Sequence, residues 1–207
     1  MMIPIFVNLE KFKVCIFGFG DVGKRRFNKL LNANPYKITI YSKDIDQEEI
    51  NKYENNYRNV EFITCDINNL SNDDLKNIIQ KYDFIISAID EKNNKRIVHI
   101  SKKLNKFISS STFEKNINLI IPAYCNVDDI YFTVYTQGKS PLIAKNIRKL
   151  VENYLKNHEY DIDAQNSIRD FLKNNISSQK DRKRILEKIF KNKDFKREFL
   201  ELVDKYK

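Results

Sequence analysis

The sequence predicts an α/β chain: a parallel sheet clothed in helices, then a small α+β segment, then a C-terminal helical region. Three observations predict it. Three of the four glycines, Gly18, Gly20 and Gly23, fall within six residues, between an apolar run and a helical pattern. Short β-rich runs then alternate with helical stretches as far as residue 112. From residue 163 onward only helical periodicity remains.

Residues 12–17 read Phe-Lys-Val-Cys-Ile-Phe, a strand. Residues 24–33 then place Phe27, Leu30, Leu31 and Ala33 at helical spacing until Pro35 stops the helix. Residues 36–41, 60–65 and 84–88 are three further strands, with helices near 46–57 and 71–81 between them. A helix over 94–104 and a strand over 107–110 complete a five-strand unit. Strands and helices alternating at this length imply a parallel sheet with right-handed crossovers. Residues 119–124 and 130–135 read as an antiparallel pair about a loop at 126–129. Ser140 and Pro141 suit an N-cap and first helical position, opening a helix to about residue 155. Two or three short amphipathic helices follow. The chain accordingly divides into 1–112, 113–157 and 158–207.

The motif Gly18-Phe19-Gly20-Asp21-Val22-Gly23 fits G-x-G-x-x-G, after a strand and opening a helix. That is the Rossmann parallel-sheet signature, and the reasons are steric. Gly18 permits a tight turn, Gly20 lets a pyrophosphate reach the backbone, and Gly23 lets the helix pack close on the strand. Backbone N–H groups near Asp21 and Val22 would face the phosphates at the positive end of the helix dipole. The second strand should end in an acid that grips the ribose, but here it ends Tyr41-Ser42-Lys43-Asp44. Asp44 suits a ribose hydroxyl, although it comes slightly late, and Lys43 suits a 2′-phosphate, so this strand end leaves NAD and NADP both open. Ser87, Ala88 and Asp90 offer small side chains and open backbone where ribose and nicotinamide would cross the sheet edge. Asn94 either joins them or caps the next helix. Gly138-Lys139-Ser140 ends like a Walker A loop, but that pattern needs glycine at 133, where Thr133 stands.

Composition sets the class. A hydrophobic fraction of 42%, with 14 Phe and 11 Tyr in 207 residues, supplies a substantial core. No run approaches the roughly 20 apolar residues of a membrane span, and Met1-Met2-Ile3-Pro4 has no basic leader region. A cytoplasmic protein without a membrane partner is expected. Cys15, Cys65 and Cys125 form no C-x-x-C pair and are odd in number, so neither a disulfide framework nor a metal site is predicted. The net charge of +9 favours an anionic partner. Residues 141–207 carry 17 basic and 11 acidic side chains, against 20 and 17 before them. The run Lys180-Asp181-Arg182-Lys183-Arg184 lacks interleaved aromatics and reads as a solvated helix face, so no nucleic acid is expected.

Taken in order, residues 4–9 (Pro-Ile-Phe-Val-Asn-Leu), 18–25 (Gly-Phe-Gly-Asp-Val-Gly-Lys-Arg), 87–90 with Asn94, Pro122-Ala123, and 136–141 (Thr-Gln-Gly-Lys-Ser-Pro) with Ala144 and Arg148 resemble the precorrin-2 dehydrogenase family, the N-terminal part of siroheme synthase. The resemblance spans about residues 3–155, and its most specific block is 136–141. It implies a homodimer with NAD in the Rossmann domain, a dimerisation segment at 113–157, and C-terminal helices flanking a tetrapyrrole cleft. The implied reaction is oxidation of precorrin-2 to sirohydrochlorin, with Thr112, Lys139, Ser140 and Arg148 toward the substrate. Some family members also insert Fe²⁺. The family's catalytic aspartate falls in the stretch Ser109-Ser110-Ser111-Thr112, which has no carboxylate. Thr112 is no base at neutral pH, which leaves Glu114, Asp90 or solvent to take the proton, or a step without a dedicated base, with Glu114 the chosen candidate.

Two other readings stand beside this one. A nucleotide-sensing Rossmann regulatory module of the potassium-transport type also opens on Gly-Phe-Gly-x-Val-Gly, but typically ends its second strand in an acid and leaves residues 136–141 unexplained. A dehydrogenase for another small substrate lacks any Lys-Asp, Tyr-x-x-x-Lys or His-Asp set that can be placed in this chain.

Overall fold

A computed structural model describes residues 2–112, 116–157 and 162–191, together with 197 and 201. It forms two compact units, Met1–Ile121 and Pro122–Lys207.

The first unit is a five-stranded parallel sheet in the order β3-β2-β1-β4-β5. Its strands are β1 (Lys13–Phe17), β2 (Lys37–Ser42), β3 (Val60–Thr64), β4 (Phe84–Ser87) and β5 (Phe107–Ser110). Helices α1 (Asp21–Leu31), α2 (Gln47–Asn56), α3 (Asn72–Ile79) and α4 (Glu91–Lys103) connect them. The inner strands are apolar almost throughout because both faces are covered. Alternate side chains serve opposite faces: Val14, Ile16, Ile38, Ile40 and Ile86 pack with Phe27 and Leu30 of α1, whereas Cys15, Phe17, Tyr41 and Ile85 pack with Leu75, Ile79 and Ile97 of α3 and α4. Reversal of strand order beside β1 leaves a crevice at the carboxyl ends of β1 and β4, where ligands of such sheets bind.

Several boundaries differ from the sequence expectation. Helix α4 starts at Glu91, not Asn94, because the Asp90 carboxylate accepts the Asn93 N–H and serves as N-cap. After β5 the chain returns along that strand: the amides of Asn118 and Leu119 both donate to the Ile108 carbonyl, and Asn118 Oδ1 accepts the Ile108 N–H at 2.7 Å. Leu119 and Ile121 pack into the first unit, so the antiparallel strand begins later, beyond Pro122.

In the second unit, β6 (Ala123–Val127) and β7 (Ile130–Val134) form an antiparallel hairpin. Asn126 and Val127 pair with Tyr131 and Ile130, so the expected loop at 126–129 shrinks to a turn at 128–129, with Asp128 at a φ of +50°. Helix α5 (Pro141–Lys156) packs on this hairpin, and α6 (Ile162–Asn175) packs on α7 (Gln179–Lys191) through Ile168, Leu172 and Ile189. No helix among the described residues is long and apolar enough to cross a membrane.

Candidate dinucleotide and substrate site

The β1–α1 turn is shaped by its three glycines, each in a different way. Gly18 has a φ of +92°, and a Cβ on it would lie 2.3 Å from the Ala88 carbonyl oxygen. A Cβ on Gly23 would lie 2.1 Å from the carbonyl oxygen of Gly18, so α1 presses on the turn itself. A Cβ on Gly20 would meet nothing within 4 Å. The turn is therefore closed against protein at residues 18 and 23 and open outward at residue 20. Gly20 is also the N-cap of α1, and no side chain caps that helix. The first-turn amides of Asp21, Val22 and Gly23 thus form the end of a helix that favours an anion. This is a cradle that a side chain would fill, and its residues fit a dinucleotide pyrophosphate.

Sequence reasoning missed the latch on this turn. Ser42, buried at the end of β2, accepts the Phe19 N–H at 3.2 Å, while the Gly18 N–H donates to the Tyr41 carbonyl. Ser42 thereby occupies the strand end where a ribose-binding acid is usual. Lys43 and Asp44 lie beyond it, exposed, with Lys43 Nζ 3.6 Å from Asp66. The amide of Asn68 holds the Asp66 carboxyl below the usual carboxylate range, ahead of the effect of Lys43.

At the carboxyl ends of β4 and β5 the buried side chain of Asn94 joins two loops. Its Oδ1 accepts from Ser87 Oγ and from the Ile89 N–H at 3.1 Å. Its Nδ2 donates to the Ile89 carbonyl at 3.2 Å, to Ser111 Oγ at 3.2 Å and to Thr112 Oγ1 at 2.7 Å. The neighbouring Asn93, also fully buried, reaches Asp90 and Asn68, and Arg96 bonds Asn93, Asn72 and the Leu70 carbonyl. One helix start thus ties down three loops of the crevice. The Asn93 backbone and side-chain amides hold the Asp90 carboxyl low, which makes it a firm cap and a weak base. On the first turns of α1, Arg26 bonds Ser109 Oγ and the Ser110 carbonyl. The consecutive Asn93-Asn94 in a first helical turn, where neither residue favours helix, was the available signal for this network. Arg26 had none, and Arg96 none beyond the nearby Asn93, because their other partners are distant in sequence.

In the second unit, Thr136 Oγ1 accepts the Ser140 N–H and donates to the Ser140 carbonyl. Ser140 Oγ accepts the Ile143 N–H at 3.3 Å, as an N-cap does. Gln137 and Gly138 both have positive φ, 55° and 74°, which leaves Lys139 on an exposed crest. Arg148 is paired with Glu152, whose carboxyl is held low by Lys156 and then by Arg148. Glu114 lies outside the described residues. Among those that are described, no group of three or more His, Cys, Asp or Glu side chains is placed to hold a metal ion.

Comparison with known proteins agrees with this geometry. A family model described as "Putative NAD(P)-binding" matches residues 5–123. A "Putative precorrin-2 dehydrogenase" of Methanocaldococcus jannaschii is 51% identical over 205 residues, covering 99% of this chain and 98% of the relative. The chain belongs to the precorrin-2 dehydrogenase family. A precorrin-2 dehydrogenase of Methanosarcina barkeri is 23% identical over 98% of this chain and 89% of its own. The siroheme synthase of Ruthia magnifica is 25% identical over 91% of this chain but only 38% of its own. The solved structure of SirC, precorrin-2 dehydrogenase, shares the fold, with a TM-score of 0.66 over 99% of this chain and 100% of that one at 20% identity. The family's NAD(P)-binding segment coincides with the unit that carries the glycine cradle.

Proposed function

We propose that this chain oxidises precorrin-2 to sirohydrochlorin with NAD⁺, in siroheme biosynthesis. The observation that carries the reading is the 51% identity to a precorrin-2 dehydrogenase over 205 residues, which runs through both compact units. A potassium-transport type regulator would account for the first unit alone.

In this reading precorrin-2 and NAD⁺ yield sirohydrochlorin, NADH and a proton. Bound NAD⁺ supplies the hydride acceptor. The backbone at Gly18, Gly20, Asp21, Val22 and Gly23 holds the pyrophosphate. Lys43 and Asp44 border the adenosine ribose, while Ser87, Ala88, Asp90 and Asn94 form the floor toward the nicotinamide. Thr112, Lys139, Ser140 and Arg148 serve the substrate, and Glu114 accepts the proton. Among the cations, exposed Lys139 suits a carboxylate directly, whereas Arg148 must exchange or share Glu152.

Functional segments of 1–112, 113–157 and 158–207 follow from the same resemblance, and the middle one makes the protein a homodimer. Ile143, Ile147, Leu150 and Tyr154 support this: they are exposed on one face of α5, Leu150 at 70%, at helical spacing that suits a second copy. A cytoplasmic location agrees with the free Cys15, Cys65 and Cys125.

The test is anaerobic incubation with precorrin-2 and NAD⁺, then NADP⁺, with and without Fe²⁺. NADH release with the sirohydrochlorin spectrum is expected; no reduced nucleotide with either cofactor refutes the reading. Iron insertion is read from siroheme formation in the same vessels.

A further inference from the structure

We infer that Asn94 is a positioning residue, which orients the Thr112 hydroxyl as a hydrogen-bond donor to a carboxylate of the tetrapyrrole. This rests on the dehydrogenase reading and goes beyond it by assigning a polarity to residue 112. Backbone donors and acceptors fix that polarity, since the hydrogens themselves are placed by the network. The Ile89 N–H can only donate and the Ile89 carbonyl can only accept, so Oδ1 of Asn94 faces the first and Nδ2 the second. Ser87 Oγ then donates its proton to Oδ1. Because Nδ2 can only donate, Thr112 Oγ1 accepts at 2.7 Å and its own proton must point elsewhere.

Thr112 makes no hydrogen bond with that proton to a described residue, and it is exposed, whereas Asn94 is fully buried. The outcome is an exposed O–H held from behind by a rigid amide at the carboxyl end of β5. Such a group binds an acceptor and cannot abstract a proton at neutral pH. A carboxylate is the strongest acceptor on offer. The family resemblance puts a carboxylate at this place; here the same place carries a donor, and proton acceptance moves to another group.

The experiment uses the full chain and two ligands measured separately, sirohydrochlorin by its absorbance change and NAD⁺ by calorimetry, together with turnover. Thr112→Val removes the hydroxyl at nearly constant shape. It should weaken sirohydrochlorin and raise the KM for precorrin-2 about 10- to 150-fold, the range of a lost bond to a charged acceptor. NAD⁺ affinity should stay within about twofold, and the pH profile of kcat should not move. Thr112→Ser should retain wild-type affinity within about threefold, since it keeps the hydroxyl.

Asn94→Asp turns the donor into an acceptor and draws the Thr112 proton inward. It should match Thr112→Val in tetrapyrrole affinity, and the double variant should lose nothing more. Unchanged tetrapyrrole affinity in Thr112→Val overturns the inference, as does a loss that falls on NAD⁺ or a displaced pH profile. A wild-type protein that turns over and binds sirohydrochlorin while Thr112→Val behaves identically refutes this inference alone. A wild type that does neither removes the dehydrogenase reading, and the inference with it.

Discussion

Gly20→Ala separates the cost of a side chain to the fold from its cost to the cofactor. Residue 20 sits at φ −71° and ψ −173°, a conformation open to any L-residue, and its Cβ would meet nothing within 4 Å. Alanine there restricts the unfolded chain, a gain of about 0.4–1 kcal/mol. It is also a poorer N-cap than glycine, a loss of similar size. The two nearly cancel, so stability should change by less than about 1 kcal/mol. On the proposed function the same methyl group stands in the path by which pyrophosphate oxygens reach the amides of α1. Losing one bond to a charged oxygen costs about 1.5–3 kcal/mol, which weakens NAD⁺ by about 10- to 150-fold. Urea unfolding and calorimetric titration on the same preparation measure both quantities. Unchanged NAD⁺ affinity in a stably folded variant would mean that the open crook is not the phosphate site.

Other expectations follow from the same geometry. Gly23→Ala should lower stability by about 1–3 kcal/mol as well as weaken NAD⁺, because its Cβ would collide with a backbone carbonyl at 2.1 Å; unfolding at the wild-type midpoint would contradict this. Asp90→Ala should cost about 1 kcal/mol as the N-cap of α4 is lost. Since the folded Asp90 carboxyl is held low, the gap from wild type should be full above about pH 4 and shrink as pH falls through the lowered value; a gap that grows on acidification would refute the assignment. Leu150→Glu should turn the proposed dimer into a monomer by light scattering, and an unaltered dimeric mass would clear α5 of the interface. Ile168→Ala, at a fully buried position between α6 and α7, should destabilise by about 2–5 kcal/mol with NAD⁺ affinity unaffected.

The elements that sequence made legible were those with a local cause. The glycine turn announced itself because close backbone approach admits one residue type at positions 18 and 23, and the inner strands β1 and β4 because buried parallel strands are apolar almost throughout. What stayed hidden depended on partners far along the chain. Nothing in residues 116–121 distinguishes a strand of the next hairpin from a segment folded back on β5; the bonds to Ile108 decide it. Ser42 reads as a polar strand end until Phe19 is beside it. Asn94 reads as a cap or a cofactor contact, and its bonds inside the protein show only once Ile89, Ser111 and Thr112 are beside it.

The central claim is that one hydride leaves the macrocycle for NAD⁺ bound at the glycine cradle. Its most direct measurement is an anaerobic single turnover with enzyme in excess over precorrin-2, following nucleotide and tetrapyrrole spectra together. One NADH should appear per sirohydrochlorin, at the same rate, and Gly20→Ala should slow both alike at limiting NAD⁺. Sirohydrochlorin formed without NADH, or formed equally fast by the Gly20→Ala protein at the same limiting NAD⁺, would contradict the account.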